Sequence, residues 1–397
     1  MSKKKFNRRS LLKGAAAITV MTVGGSVWRA YDQGVFSSGQ GPAYEPWKTW
    51  KSDVIDGPLA LIQSAILAAN PHNTQPWLFE VTESRIAVYA DTRRHLGAMD
   101  SYFREMHIGL GCAIENMILA ASVKGYATQV TLTPGDLTEL HLDGNPILAA
   151  VIDLSPGISV DSDLYDEIPN RHTDRAPYDM ARTVTVKDLS AFRASADKNV
   201  DVEVLLFSTE DERAHFSDGT VQATKAIIAD NQMAHDSAKW FRYDWDEVQK
   251  HKDGPYIDTI GIPPMMRALA KILPPISEKT GNEYWLDATV STLASTPVVG
   301  LIAVRNLYDR PQAMSAGRVW QQMHLLATKL GLSMQPVNQL MEVVDREREL
   351  GREPSMSAIL ADIVNDSAWQ PTFGFRLGYP TMPVLPSPRR PVTEVVI

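Results

Sequence analysis

Apolar residues recur along this chain with two different periods. Leu59, Ile62, Ile66 and Ala69 stand at helical spacing and define one face of a helix that ends before Pro71. The runs 78–81 and 85–89 are short and rich in β-branched and aromatic residues, which predicts two strands. A long helix follows from about Glu105 to Lys124. It carries Ile108, Ala113, Met117 and Ala121 on one side, and Gly125 is placed to cap it.

That helix has a counterpart. Laid without a gap over Gly111–Gly125, the segment Gly317–Gly331 coincides with it at Gly, Met, Leu, Ala and Gly, and Gln129 then falls on Gln335. Apolar spacing alone produces the Leu and Ala matches, but not both flanking glycines and the glutamine. The pattern predicts an internal duplication. The expected fold is α+β, with two similar halves over 56–164 and 165–397. An insertion near 230–280 fits neither half. It holds Trp240, Phe241, Tyr243 and Trp245, then prolines at 263, 264, 274 and 275. Its aromatics suit a lid over a ligand, or equally a cluster that packs the insertion onto the body.

The N-terminus differs from the rest. Lys3, Lys4, Lys5, Arg8 and Arg9 precede an apolar run from Leu11 to Val27, the layout of an export signal. Residues 7–13 resemble a twin-arginine signal, which sends a folded, often cofactor-loaded protein across the membrane. The expectation is a signal over 1–29, export by the Tat machinery and a periplasmic location. No clear cleavage site follows, which leaves an uncleaved membrane anchor open. Residues 30–55, with Gly34, Gly39, Gly41, Pro42 and Pro46 and no sustained period, read as a linker.

Charge and cysteine content narrow the function. The 397 residues carry a formal net charge of -8, which argues against broad nucleic-acid binding. The single cysteine, Cys112, excludes an internal disulfide and any multi-cysteine metal or iron–sulfur site. His235, His251 and His324 have no metal-ligand spacing, so no metal is expected. Dinucleotide, Walker and serine-hydrolase signatures are absent.

Three segments carry candidate chemistry. In Asn70-Pro71-His72-Asn73-Thr74-Gln75-Pro76-Trp77, two prolines hold a turn. Its backbone and the Asn73 and Gln75 amides suit a flat heteroaromatic ring, because amides donate and accept; a satisfied structural turn reads equally well. In Arg171-His172-Thr173-Asp174-Arg175, an extended backbone would put Arg171, Thr173 and Arg175 on one face. Two guanidinium forks and a hydroxyl suit a phosphate monoester, although arginines also pair commonly with nearby acids. In the tail, Pro388-Arg389-Arg390-Pro391 presents two cations on stiffened chain.

Together these segments resemble the nitroreductase family: its Asn-x-Gln-Pro-Trp loop, its Arg-x-Ser-x-Arg motif with Thr173 for serine, and its basic C-terminal element. The layout is most similar to the single-chain Acg-type FMN-binding proteins. The resemblance runs from Leu59 to the end and is weakest over 190–315. It implies a nitroreductase-like fold of two fused repeats, a pseudo-dimer that completes one FMN site internally. Arg171, Thr173, Arg175, Arg389 and Arg390 would hold phosphate and ribityl oxygens. Pro71, His72, Asn73 and Gln75 would border the isoalloxazine, and Gln335, Pro336 and Val337 would pass its N5 edge. The implied activity is electron transfer from reduced FMN to a nitroaromatic, quinone or similar acceptor, with a small-molecule electron donor. No catalytic side chain stands out. His72 stands where the family often has a small serine, and export would separate the protein from cytoplasmic NAD(P)H. Both points keep a second reading in play: a flavin-binding or flavin-sequestering protein with little turnover.

Overall fold

The computed structural model describes residues 27–51, 55–141 and 143–397. The first half contains α1 (Glu45–Thr49), α2 (Leu59–Ala65), β1 (Trp77–Val81), β2 (Arg85–Ala90), α3 (Arg104–Val123), β3 (Tyr126–Leu132) and β4 (Ile147–Pro156). After α4 (Asp163–Asp166) and α5 (Val186–Arg193), the second half runs through β5 (Val202–Phe207) and α6 (Glu210–Ala229). The insertion then supplies α7 (Asn231–Ala238), α8 (Trp245–His251) and α9 (Pro264–Ile272), and α10 (Glu278–Ala294) follows it. β6 (Val298–Val304), α11 (Arg310–Lys329), β7 (Ser333–Pro336), α12 (Gln339–Glu349), α13 (Ser355–Val364) and β8 (Gln370–Gly378) complete the order.

The α+β class holds, and one plan occurs twice. The first sheet is ordered β1-β2-β4-β3 and the second β5-β6-β8-β7, with every neighbouring pair antiparallel. In each, a 20-residue helix stands between the second and third strands. These helices, α3 and α11, pack on each other through the two glycines matched in the sequence. A Cβ on Gly111 would stand 2.0 Å from the Met314 carbonyl oxygen, and one on Gly317 would stand 2.0 Å from that of Ile108. Only glycine permits this approach at both places. α3 is long and apolar enough to cross a membrane, but its apolar window is 78% buried inside the protein; it is a core helix.

The helices start where local chemistry allows. The Asp309 carboxylate accepts from the Gln312 amide at the head of α11. Asp100 accepts from the amides of Glu105 and Met106 at 3.0 and 2.9 Å, capping α3 from outside its first turn. α2 is shorter than its apolar period suggested. It ends at Ala65, and Leu67 and Ala68 continue as buried turns.

Two expectations need correction or placing. Residues 30–51 are not a loose linker: Ala43, Tyr44, Trp47 and Trp50 are buried. The Trp47 indole donates to the Ser387 carbonyl at 2.7 Å, and the Arg389 amide donates to Ala43 at 2.7 Å. The glycines and prolines hid a segment whose aromatics are its docking side. The twin-arginine stretch lies outside the described residues. At the other end, residues 395–397 run beside Phe79 of β1, exchanging backbone hydrogen bonds of 2.8 and 2.9 Å. The tail of the second half thereby extends the sheet of the first.

Candidate functional site

A cavity of about 770 Å³ lies between the halves, under the insertion. Glu105, Ile108, Gly109 and Cys112 of α3, Trp320 of α11 and Gln335-Pro336-Val337 after β7 line it. Pro71, His72, Thr173 and Arg175 line it too, with Phe241 and Tyr243 from the insertion and Trp285 and Thr289 from α10. Seven of the residues singled out in the sequence therefore meet at one cavity. The aromatics of the insertion divide between the two roles considered for them: Phe241 and Tyr243 face the cavity, whereas Trp240 is buried in the second hydrophobic core.

The loop 70–77 is bent harder than its prolines suggested. His72, Asn73 and Gln75 have φ of 46°, 53° and 52°, left-handed values that cost non-glycine residues energy and need surrounding support. Side-chain hydrogen bonds supply it. The Gln75 amide donates to Asn70 Oδ1 at 2.8 Å, and Gln75 Nε2 donates to the Lys252 carbonyl at 2.8 Å. Gln75 Oε1 accepts from the Arg390 amide at 2.7 Å, and Asn73 Nδ2 donates to the Pro388 carbonyl at 2.9 Å. Asn73 and Gln75 thus clamp the C-terminal tail, and neither lines the cavity. Arg390 is diverted in the same way, to the carbonyls of Gln75 and Glu394. His72 does face the cavity. Its Nε2 lies 3.1 Å from Ser237 Oγ of α7. Burial, aided by Arg175, lowers its pKa to about 4, so the ring is neutral.

Arg171, Thr173 and Arg175 do not share one face of the cavity. Thr173 and Arg175 line it, while Arg171 turns into the protein behind it, donating to the Leu67 carbonyl at 3.0 Å. There it meets Arg389. The two residues are only 2% and 3% exposed, and every hydrogen bond their guanidiniums make goes to a neutral group. Arg389 lies 4.8 Å over the Trp47 ring. The Nε of each arginine has no partner. Burial pushes the Arg171 pKa down to about 10, and burial with the charge of Arg171 holds that of Arg389 well below its usual value. Between them, His172 is driven down to about 3 by burial and then by the two arginines. A buried cation without a counter-charge is costly, and two together form a pocket of positive potential suited to an anion.

The opposite corner is acidic, and no local pattern of residues announces it. Arg104 donates to Asp345 Oδ2 through Nε and Nη2 at 2.9 and 2.6 Å. Beside this pair, Glu105 and Glu342 line the cavity at 4% and 6% exposure. Glu105 Oε1 and Glu342 Oε2 have no partner. Both carboxyls titrate above the ordinary range, chiefly through burial; Asp100 adds to this for Glu105, and Glu105 adds to it for Glu342. Around Gln335 the side chains are already engaged: its Oε1 accepts from Arg376 Nε at 2.5 Å. Among the described residues, no group of histidine, cysteine and carboxylate side chains is arranged for a metal ion.

No family model matches the chain. It is 22% identical over 338 residues to a Mycobacterium tuberculosis protein named "Putative NAD(P)H nitroreductase Rv3131", an alignment covering 84% of this chain and 88% of the relative. A second protein of that organism, named "Putative NAD(P)H nitroreductase acg", is 32% identical over 120 residues, 30% of this chain and 34% of its own length. Among solved structures, the FMN-dependent nitroreductase NfnB of Mycobacterium smegmatis aligns with a TM-score of 0.37 at 14% identity, covering 58% of this chain and 96% of its own. An FMN-bound nitroreductase of Bacteroides fragilis aligns with a TM-score of 0.32 at 13% identity, covering 55% and 89%.

Proposed function

We propose that this protein binds FMN and is a flavin-dependent oxidoreductase of nitroreductase type. The observation that carries the reading is the pair Arg171 and Arg389, buried without a counter-anion beside the cavity that Thr173 and Arg175 enter. A phosphate monoester offers what these groups lack, and the unpartnered Nε atoms fit it. The likeness to proteins named as nitroreductases over most of the chain supports the same cofactor. The repeated sheet plan and the reciprocal glycine contact support an origin by duplication.

In this reading Thr173 and Arg175 meet the phosphate end at the cavity wall, and the uncompensated charges of Arg171 and Arg389 attract it from behind. Pro71, His72 and residues 335–337 confine the ring end, and the neutral His72 adds no charge there. Bound FMN supplies two-electron chemistry towards a nitroaromatic, quinone or similar acceptor. The acid corner at Glu105 and Glu342, whose carboxyls burial lifts above the ordinary range, lies at the cavity wall, where reduction of such acceptors consumes protons. Phe241, Tyr243 and Trp285 contribute aromatic wall to the cavity. Export to the periplasm remains part of the proposal, resting on the basic head and apolar run of residues 1–29.

The test is an absorption spectrum of the purified protein after incubation with FMN, followed by anaerobic NADPH. A flavin spectrum that bleaches quickly supports a reductase. A flavin spectrum that stays yellow favours storage or a different donor, the reading that the insertion over the cavity and the His72–Ser237 contact also favour. Absence of flavin binding sinks both.

A further inference from the structure

We propose that the surface formed by α9 and residues 27–36 seats on a lipid bilayer, so that the cavity opens at the membrane. α9 is inverted relative to a surface helix in water. Its Lys271 is 4% exposed, with the ammonium bonded to Asp258 at 2.8 Å and to the Gly34 carbonyl at 3.1 Å. Arg267 reaches the same carboxylate at 3.2 Å. The apolar side chains face outward: Met265 is 85% exposed, Met266 57% and Leu269 55%.

Residues 27–36 add to the same surface. Val27, Trp28, Tyr31 and Phe36 are between 61% and 77% exposed. Arg29 Nε donates to the Ile272 carbonyl at 2.6 Å, which ties this segment to the end of α9. A soluble surface scatters its exposed hydrophobics singly; a contiguous set this large marks an interaction site. Two observations choose a bilayer as the occupant. Methionine, leucine, tryptophan and tyrosine over inward-turned cations is the composition of an interfacial helix face. In addition, the apolar run that begins at Leu11 ends at Val27, on this surface. An apolar run of that kind inserted in lipid would hold the face against the headgroups.

The cavity shares this face. Leu273, Ile276 and Tyr284 line it and are 51%, 55% and 43% exposed, so they form its rim. The small molecules such a mouth admits are those that partition into lipid. The inference uses no property of the flavin reading and survives its failure.

Cys112 is the single cysteine and is 1% exposed, so one introduced thiol can be labelled selectively. The test uses the full chain as Met266→Cys, Phe36→Cys and, as control, Val200→Cys, whose position is 83% exposed near β5. Each carries an environment-sensitive fluorophore and is mixed with phosphatidylcholine–phosphatidylglycerol vesicles containing acyl-brominated lipid. The expected result is a blue shift and loss of most emission at 266 and 36, with position 200 unchanged. Equal responses at all three positions, no response at 266, or a concentration-dependent blue shift at 266 without vesicles (a second copy covering the face) would overturn the proposal.

Discussion

Gly111 and Gly317 make the same contact in opposite directions across the two long helices. Each lies where a methyl group would stand 2.0 Å from a carbonyl oxygen of the other helix, that of Met314 or Ile108. Because the obstacle is backbone, no rotamer change relieves it. Gly111→Ala and Gly317→Ala should each destabilise the protein by about 1–3 kcal/mol or more, the usual cost of overpacking. Gly281→Ala is the control: it sits in α10, where a Cβ meets only Ile276 at 3.9 Å, and should be neutral or slightly stabilising. Urea denaturation of the three variants checks this; equal behaviour would contradict it.

Arg171 and Arg389 should show a split between stability and binding. Replacing either by methionine removes a buried, uncompensated cation, so the flavin-free protein should lose little stability or gain some. FMN affinity should fall about 10- to 100-fold, the loss expected for a charge-assisted contact of roughly 1.5–3 kcal/mol. Thermal melting with and without FMN reads both quantities. A variant that melts early yet keeps full affinity would assign the arginines a purely structural role.

Asn73 and Gln75 should behave as tail clamps. Asn73→Ala and Gln75→Ala leave buried partners unsatisfied at Pro388 and at the Arg390 amide. Each should cost about 1–3 kcal/mol and expose residues 380–397 to proteolysis. The absorption maximum of bound flavin should not move. A spectral shift with an intact tail would place these amides against the ring instead.

Acid should weaken the fold through buried histidines. His72 and His172 titrate at about 4 and about 3 in the folded protein, against 6.5 as the ordinary value. Between the ordinary value and the lowered one, the unfolded chain binds more protons than the folded chain. Stability is therefore full above about pH 6.5 and falls as pH drops towards 4. Glu105 and Glu342 work in the opposite sense, since their raised values favour the folded state at lower pH. His172→Gln should flatten the acid limb, whereas Glu105→Gln should steepen it and stabilise the protein above neutrality. Chemical denaturation across pH 4–8 distinguishes the two; a Glu105→Gln profile parallel to that of the parent would refute the raised carboxyl.

What the sequence determined is local or repeated. The 3.6-residue period marked the first long helix, β-branched and aromatic content marked β1 and β2, and the matched glycines marked the repeat of α3 in α11. The residue types around 70–77 and 171–175 marked where a site would form, because prolines, amides and arginines constrain nearby backbone and charge. Direction and company came from the folded chain. Three left-handed residues turn His72 into the cavity and Asn73 and Gln75 onto the tail, an outcome no alternation rule foretells. Arg171 lacks a counter-charge, and Glu105 sits beside Glu342, only because distant segments bury them together. Residues 30–51 look like a linker until the tail and the site supply the surface their aromatics cover. Burial, and with it the pKa of a side chain, belongs to the folded neighbourhood rather than to the residue.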